Sequence, residues 1–135
     1  ETQPIMMRLQ SDIVELCQLA CEGKLDQATI DFDPRPAVGV VLAAGGYPGD
    51  YSKGDVISGL TTNTLEDRKT FHAGTALIDG QVVTAGGRVL CATALGQSVT
   101  EAQKSAYQLL QQIPWNGVEF RTDIAYRAIA REQQS

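Results

Sequence analysis

The sequence predicts an α+β fold, a small antiparallel β domain with helices around it, and three observations carry that prediction. Two segments, residues 2–22 and 98–113, place apolar side chains at steps of three and four, the helical period. Short apolar and partly β-branched runs lie between them, at residues 37–43, 70–78, 81–84 and 88–94. Asp79-Gly80 sits between two of those runs, where Asp-Gly is a strong hairpin signal.

In chain order, Ile5, Met6, Leu9, Ile13, Leu16 and Ala20 give residues 2–22 the stripe of one helix. Thr2 is its expected cap, Pro4 fits its first turn and Gly23 can end it. Such a helix needs a partner surface. Asp33-Pro34-Arg35-Pro36 then forbids regular helix and favours extended chain, which sets an expected domain boundary between residues 1–34 and 35–135.

Residues 37–43 read as a strand covered on both faces or as part of a sandwich core, stopped by Gly45-Gly46, and residues 61–69 are polar and read as an exposed turn. Ser98-Val99-Thr100-Glu101 matches a capping box, and Ala102, Ala106, Leu109 and Ile113 line one face of a helix closed by Pro114. Residues 118–121 read as a short extended piece and 123–131 as a last helical turn or a strand.

Composition excludes several functions. With 135 residues and 43% apolar side chains the chain can build one core. Eleven basic against sixteen acidic side chains give a net charge of −5, with no Lys/Arg run of the kind that nucleic acid or anionic lipid needs. No apolar stretch approaches the roughly 20 residues that cross a bilayer, and no secretory signal is visible, so a cytoplasmic location is expected. Three cysteines cannot all pair, so Cys17, Cys21 and Cys91 read as free thiols serving as small buried hydrophobes. Zinc would need further ligands, and His72 is the one histidine, so no metal site is expected.

The chemistry that the residues do suggest lies in two Gly-Gly turns, VGVVLAAGGYPGDYSKG (residues 38–54) and QVVTAGGRVL (residues 81–90). Each closes an apolar run with a turn rich in backbone N–H and then supplies a cation, Lys53 or Arg88, an arrangement suited to an anion. A guanidinium directly after two glycines can fork onto phosphate oxygens. Neither turn is a nucleotide fingerprint, since both GxGxxG spacing and a Gly-Lys-Ser/Thr ending are missing. Gly45, Gly46, Gly86 and Gly87 are also consistent with plain tight turns. Lys53 reads as solvated or as the attachment point of a prosthetic-group carrier, and His72 as a core or semi-buried histidine or a base. No nucleophile, base and orienting acid form a triad, so no catalytic residue is assigned.

Several blocks together carry a resemblance. ETQPIM (residues 1–6), AAGGYP (43–48), YSKG (51–54), FHAGT (71–75), GGRVL (86–90), RTDI (121–124) and Arg127-Ala128 resemble, in order, the C-terminal third of the phosphoribosylamine-glycine ligase family. Those ligases belong to the ATP-grasp superfamily and join glycine to phosphoribosylamine in purine biosynthesis, with ATP activating the glycine carboxylate. The resemblance implies that the chain is a C-terminal fragment, inactive alone. Residues 1–34 would be the last helix and linker of the ATP-grasp domain, and 35–135 a substrate-side domain similar to a barrel-sandwich hybrid.

Several further expectations follow from the resemblance. ATP and Mg (or Mn) would serve the full-length enzyme, with neither bound by this chain alone. Partners would be phosphoribosylamine, glycine, ATP and the remainder of the ATP-grasp domain. Substrate contacts fall on Gly45, Gly46, Tyr47, Lys53, His72, Thr75, Gly86, Gly87 and Arg88, with Arg88 holding the ribose phosphate. Two positions depart from the pattern: Ala76 replaces an expected basic residue and Ala125 an expected glycine. A ligand-free packing module is the alternative reading.

Overall fold

A computed structural model describes residues 1–60 and 66–134. The strands are β1 (Ala37–Ala43), β2 (Arg68–His72), β3 (Thr75–Ile78), β4 (Gln81–Thr84) and β5 (Arg88–Leu95), and the helices α1 (Thr2–Arg8), α2 (Ile13–Cys21), α3 (Val99–Leu110) and α4 (Tyr126–Glu132). One antiparallel sheet has the order β1-β5-β2, and β3 and β4 make a separate hairpin. This is the small mixed α+β domain with antiparallel sheets that the sequence predicts. Residues 61–65 of the expected polar turn lie outside the described residues.

The core lies between the three-stranded sheet and α3. Strand β1 alternates, sending Val38, Val40 and Leu42 inward, while the central strand β5 is buried from Val89 to Leu95. Ala102 and Ala106, both fully buried, let the α3 backbone come close to the sheet, and Leu109, Leu110 and Ile113 fill the space beyond. Gly96 is required at that approach, because a β-carbon there would stand 2.9 Å from the Ala102 Cα. The predicted cap of α3 forms, with the Ser98 hydroxyl accepting from Glu101 N at 3.1 Å. Glu132 of α4 adds a second acceptor, taking the Val99 and Thr100 N–H groups at 2.8 and 3.2 Å. Those bonds hold its carboxyl below the ordinary range, the Val99 amide first.

The hairpin turns at Asp79 and Gly80 with φ of 49° and 77°, the pair of positive values that a two-residue primed turn needs. The run at 70–78 is two strands, not one, because the chain changes sheets at Ala73-Gly74. There the Gly74 N–H donates to Arg88 O while the Gly74 carbonyl accepts from Ala85 and Gly86. A β-carbon on Gly74 would lie 2.7 Å from Arg88 O, so the crossing needs glycine.

The single N-terminal helix expected over residues 2–22 is two helices. Leu9 is extended and bridges Phe32, and Asp12 starts α2 by accepting from Val14 and Glu15 N–H. Glu1, not Thr2, occupies the N-cap of α1 and makes no side-chain cap bond. Gly23 does end α2, with a φ of 68°. Helix α1 has a partner within the chain: Pro4 packs over Gly39 on the outer face of the β1–β5 pair, beside Cys91 and Thr93. Residues 126–132 of the uncertain C-terminal segment are helix. Cys91 is buried as expected, whereas Cys17 and Cys21 are exposed on α2, which packs against little besides the turn at residues 25–27.

Candidate functional site

Antiparallel pairing decides where the predicted residues meet. Strand β1 ends, β5 begins and β2 ends at the same edge of the sheet, as the pairs Ala43↔Arg88 and His72↔Leu90 show. Gly45–Tyr47, Gly86–Arg88 and His72–Thr75 are therefore neighbours despite wide separation in sequence. A β-bulge then re-aims the key side chain. Leu42 pairs with Leu90 and Ala43 with Arg88, so Val89 is an extra residue that is buried while Arg88 turns outward. The Arg88 side chain is exposed and makes no hydrogen bond or ion pair among the described residues.

The two Gly-Gly turns lock onto each other. Ala44 N donates to Gly87 O at 2.8 Å, and Gly87 is overlaid by Tyr47 and Tyr51, whose rings meet edge to face at 6.1 Å. A β-carbon on Gly87 would run into the Tyr47 ring and lie 3.1 Å from Tyr51 Cε1. Gly46, with a φ of 92°, makes the sharp reversal of the first turn.

The four glycines of these N–H-rich turns are not equivalent as donors. Gly46 N–H is taken by Glu119 Oε1 at 3.2 Å and Gly86 N–H by Gly74 O at 3.1 Å. Those two bonds fold the turns. The Gly45 and Gly87 N–H groups find no protein acceptor among the described residues.

An open cleft of about 460 Å³ lies on the outer face of the sheet beyond α1. Tyr47 and Arg88 of the predicted set line it, joined by Glu119, Phe120 and Arg121. Lys53, His72 and Thr75 do not. Lys53 lies over the Tyr51 ring, 5.8 Å from its centre. His72 is exposed rather than semi-buried, because β2 is an edge strand, and its Nδ1 pairs with the Thr75 hydroxyl at 3.0 Å. The residues that sequence reasoning missed sit on one short segment, where Glu119 pairs with Ala43 and extends the sheet beside β1. Its extended character was legible, and alternation along it was the available signal.

A larger cleft, about 530 Å³, lies at the opposite end of the sheet, lined by Arg35, Asp67, Arg68 and Lys104 among others. Two of its three cations are engaged, with Arg35 Nη1 on Asp67 at 2.9 Å and Arg68 on Gln108 at 3.4 Å. Three carboxylates, Glu66, Asp67 and Glu101, balance those cations, whereas Arg88 and Arg121 face only Glu119 in the smaller cleft. Among the described residues no group of three or more His, Cys, Asp or Glu side chains is placed to hold a metal ion, and no helix is long and apolar enough to cross a membrane.

Fold and cleft together define a small α+β domain with an unpaired guanidinium beside two interlocked glycine turns. The family model described as "Phosphoribosylglycinamide synthetase, C domain" matches residues 37–127, and the chain belongs to that family. It is 69% identical over 133 residues to the phosphoribosylamine–glycine ligase of Vibrio cholerae, covering 98% of this chain and 31% of that protein. Identity to the Pseudomonas aeruginosa ligase is 63%, with the same coverage. The crystal structure of the Thermotoga maritima phosphoribosylamine–glycine ligase superposes with a TM-score of 0.63 at 34% identity, over 81% of this chain and 27% of that one. The chain thus spans about a third of the length of these relatives.

Proposed function

We propose that this chain is the substrate-side lobe of an ATP-dependent carbon–nitrogen ligase that joins glycine to 5-phosphoribosylamine, giving glycinamide ribonucleotide in purine biosynthesis in the cytoplasm. The observation that carries the reading is Arg88, turned outward by a bulge and unpaired on a cleft beside two interlocked glycine turns. Its guanidinium holds the ribose phosphate, and the Gly45 and Gly87 N–H groups are the backbone donors left to assist. Tyr47 lines the same cleft. Gly46 and Gly86 shape the turns, and Lys53, His72 and Thr75 would meet only a part of the substrate that extends beyond the cleft.

The lobe's part in the reaction is positioning. A fixed phosphate holds the amine of phosphoribosylamine near the activated glycine, and such orientation contributes several kcal/mol to well-placed reactions. No residue here transfers a proton. ATP and Mg (or Mn) supply the activation of glycine in the full-length enzyme. The described residues of this chain do not fit that group, since they gather no carboxylate cluster.

Residues 1–34 close the ATP-grasp domain and 35–135 form the C-terminal lobe of barrel-sandwich type. Two observations support that division: the family match begins at residue 37, and the preceding segment leaves Ile5, Val14, Leu25, Ile30 and Phe32 45–64% exposed. That apolar surface suits packing against the remainder of the ligase.

Titration of the chain with glycinamide ribonucleotide, followed by amide chemical shifts, tests the reading. Shifts are expected at Gly45, Tyr47, Gly87 and Arg88. Shifts confined to α1 and α2 would instead favour a ligand-free packing module.

A further inference from the structure

We propose that Arg121 is a second cation for the sugar-borne phosphate, held in register by Asp123. This rests on the reading of Arg88 above and adds a residue to the same site. Placement comes from the sheet. Ala43 pairs with Arg88 on one side and with Glu119 on the other, where Ala43 N donates to Glu119 O at 2.7 Å and Glu119 N to Ala43 O at 2.9 Å. Directly paired residues project to the same face, and in extended chain so does the residue two further on, which is Arg121. Arg88 and Arg121 accordingly line one cleft. Neighbouring strands lie about 4.8 Å apart, so these two backbones flank β1 at roughly twice that spacing, a gap that two long guanidinium side chains close around one phosphate.

Orientation comes from Asp123. Arg121 Nε and Nη2 donate to its two carboxylate oxygens at 2.8 and 2.6 Å. That side-on pairing occupies one edge of the guanidinium, fixes its plane and leaves Nη1 free to donate. The backbone is fixed as well, since the Tyr107 hydroxyl donates to Arg121 O at 2.6 Å and accepts from Ile124 N at 3.2 Å. The pair is solvent-exposed, with 72% of the Arg121 side chain accessible, and exposed pairs contribute little to stability. An arrangement this well fixed with so little effect on folding is explained by aiming a donor. The cleft's carboxylate, Glu119, accepts from the Gly46 N–H.

The test compares binding of glycinamide ribonucleotide and of its dephosphorylated nucleoside by calorimetry, in the full-length ligase and in its Arg88→Ala, Arg121→Ala, Arg121→Lys and Asp123→Asn variants. Losing one charge-assisted phosphate contact weakens binding by roughly 10- to 100-fold, so Arg121→Ala is expected to lose about tenfold or more for the nucleotide. Nucleoside binding stays within about twofold of wild type, which also reports that the variant is folded. Arg121→Lys recovers part of the loss, and Asp123→Asn weakens the nucleotide selectively through a less well-aimed guanidinium. Wild-type nucleotide binding in both Arg121 variants, with Arg88→Ala impaired, overturns the second cation and leaves the Arg88 reading standing. Equal loss of nucleotide and nucleoside in Arg121→Ala overturns it too. Wild-type binding in every variant removes both readings.

Discussion

The Tyr47 ring covers Gly87 so closely that no β-carbon fits between them. This contact joins two turns separated by some forty residues of chain and sets Arg88, the next residue, at the mouth of the cleft.

Gly87→Ala is expected to force the turns apart. Overpacking of a close contact costs about 1–3 kcal/mol, which urea denaturation of wild type and variant will read as a lower midpoint with an unchanged slope. An unaltered midpoint would mean that the turns are not locked together here.

Asp33 provides a pH-dependent prediction. The Arg35 guanidinium bonds both its oxygens, at 2.7–3.1 Å, and holds its carboxyl at about 2, below the ordinary 3.8. A depressed folded value means that this stabilisation is complete above the ordinary value and is lost as pH falls from about 4 towards 2. Melting temperatures of wild type and Asp33→Asn are expected to differ at pH 7 and to converge near pH 2. A gap independent of pH would contradict the pairing.

Ala125 adopts a φ of 67° at the start of α4, a conformation that disfavours any side chain. Replacing it with glycine removes local strain of about 1–2 kcal/mol while adding about 0.4–1 kcal/mol of unfolded-state freedom. Ala125→Gly is therefore expected to be neutral or stabilising in chemical denaturation, and a clear destabilisation would show that the alanine methyl does something else.

Thiol titration separates the cysteines. Two groups, Cys17 and Cys21, are expected to react quickly in the native state, and Cys91 only on unfolding, because burial raises its thiol value and limits access. Three fast thiols would place Cys91 at the surface.

Local chemistry was readable from the sequence, and long-range pairing was not. Asp79-Gly80 specifies its turn within two residues, and Ser98 caps α3 three residues ahead of Glu101, so both were legible. The break between α1 and α2 hid behind an apolar stripe that continues in phase through Leu9 and Ile13, although Asp12 with Glu15 three residues on was a start signal. The bulge at Val89 depends on how β5 meets a strand forty-odd residues away, and no local pattern announces it. Arg88 was identified from its glycines, whereas Arg121 acquires meaning only once Glu119 pairs with Ala43. His72 looked half-buried because alternation does not say that β2 is an edge strand.

Steady-state kinetics of Arg88→Ala in the full-length ligase tests the central claim most directly. The account predicts a KM for phosphoribosylamine raised about tenfold or more, with the KM for ATP unchanged, as expected for loss of one charge-assisted contact. Wild-type values for both KM and kcat would contradict it.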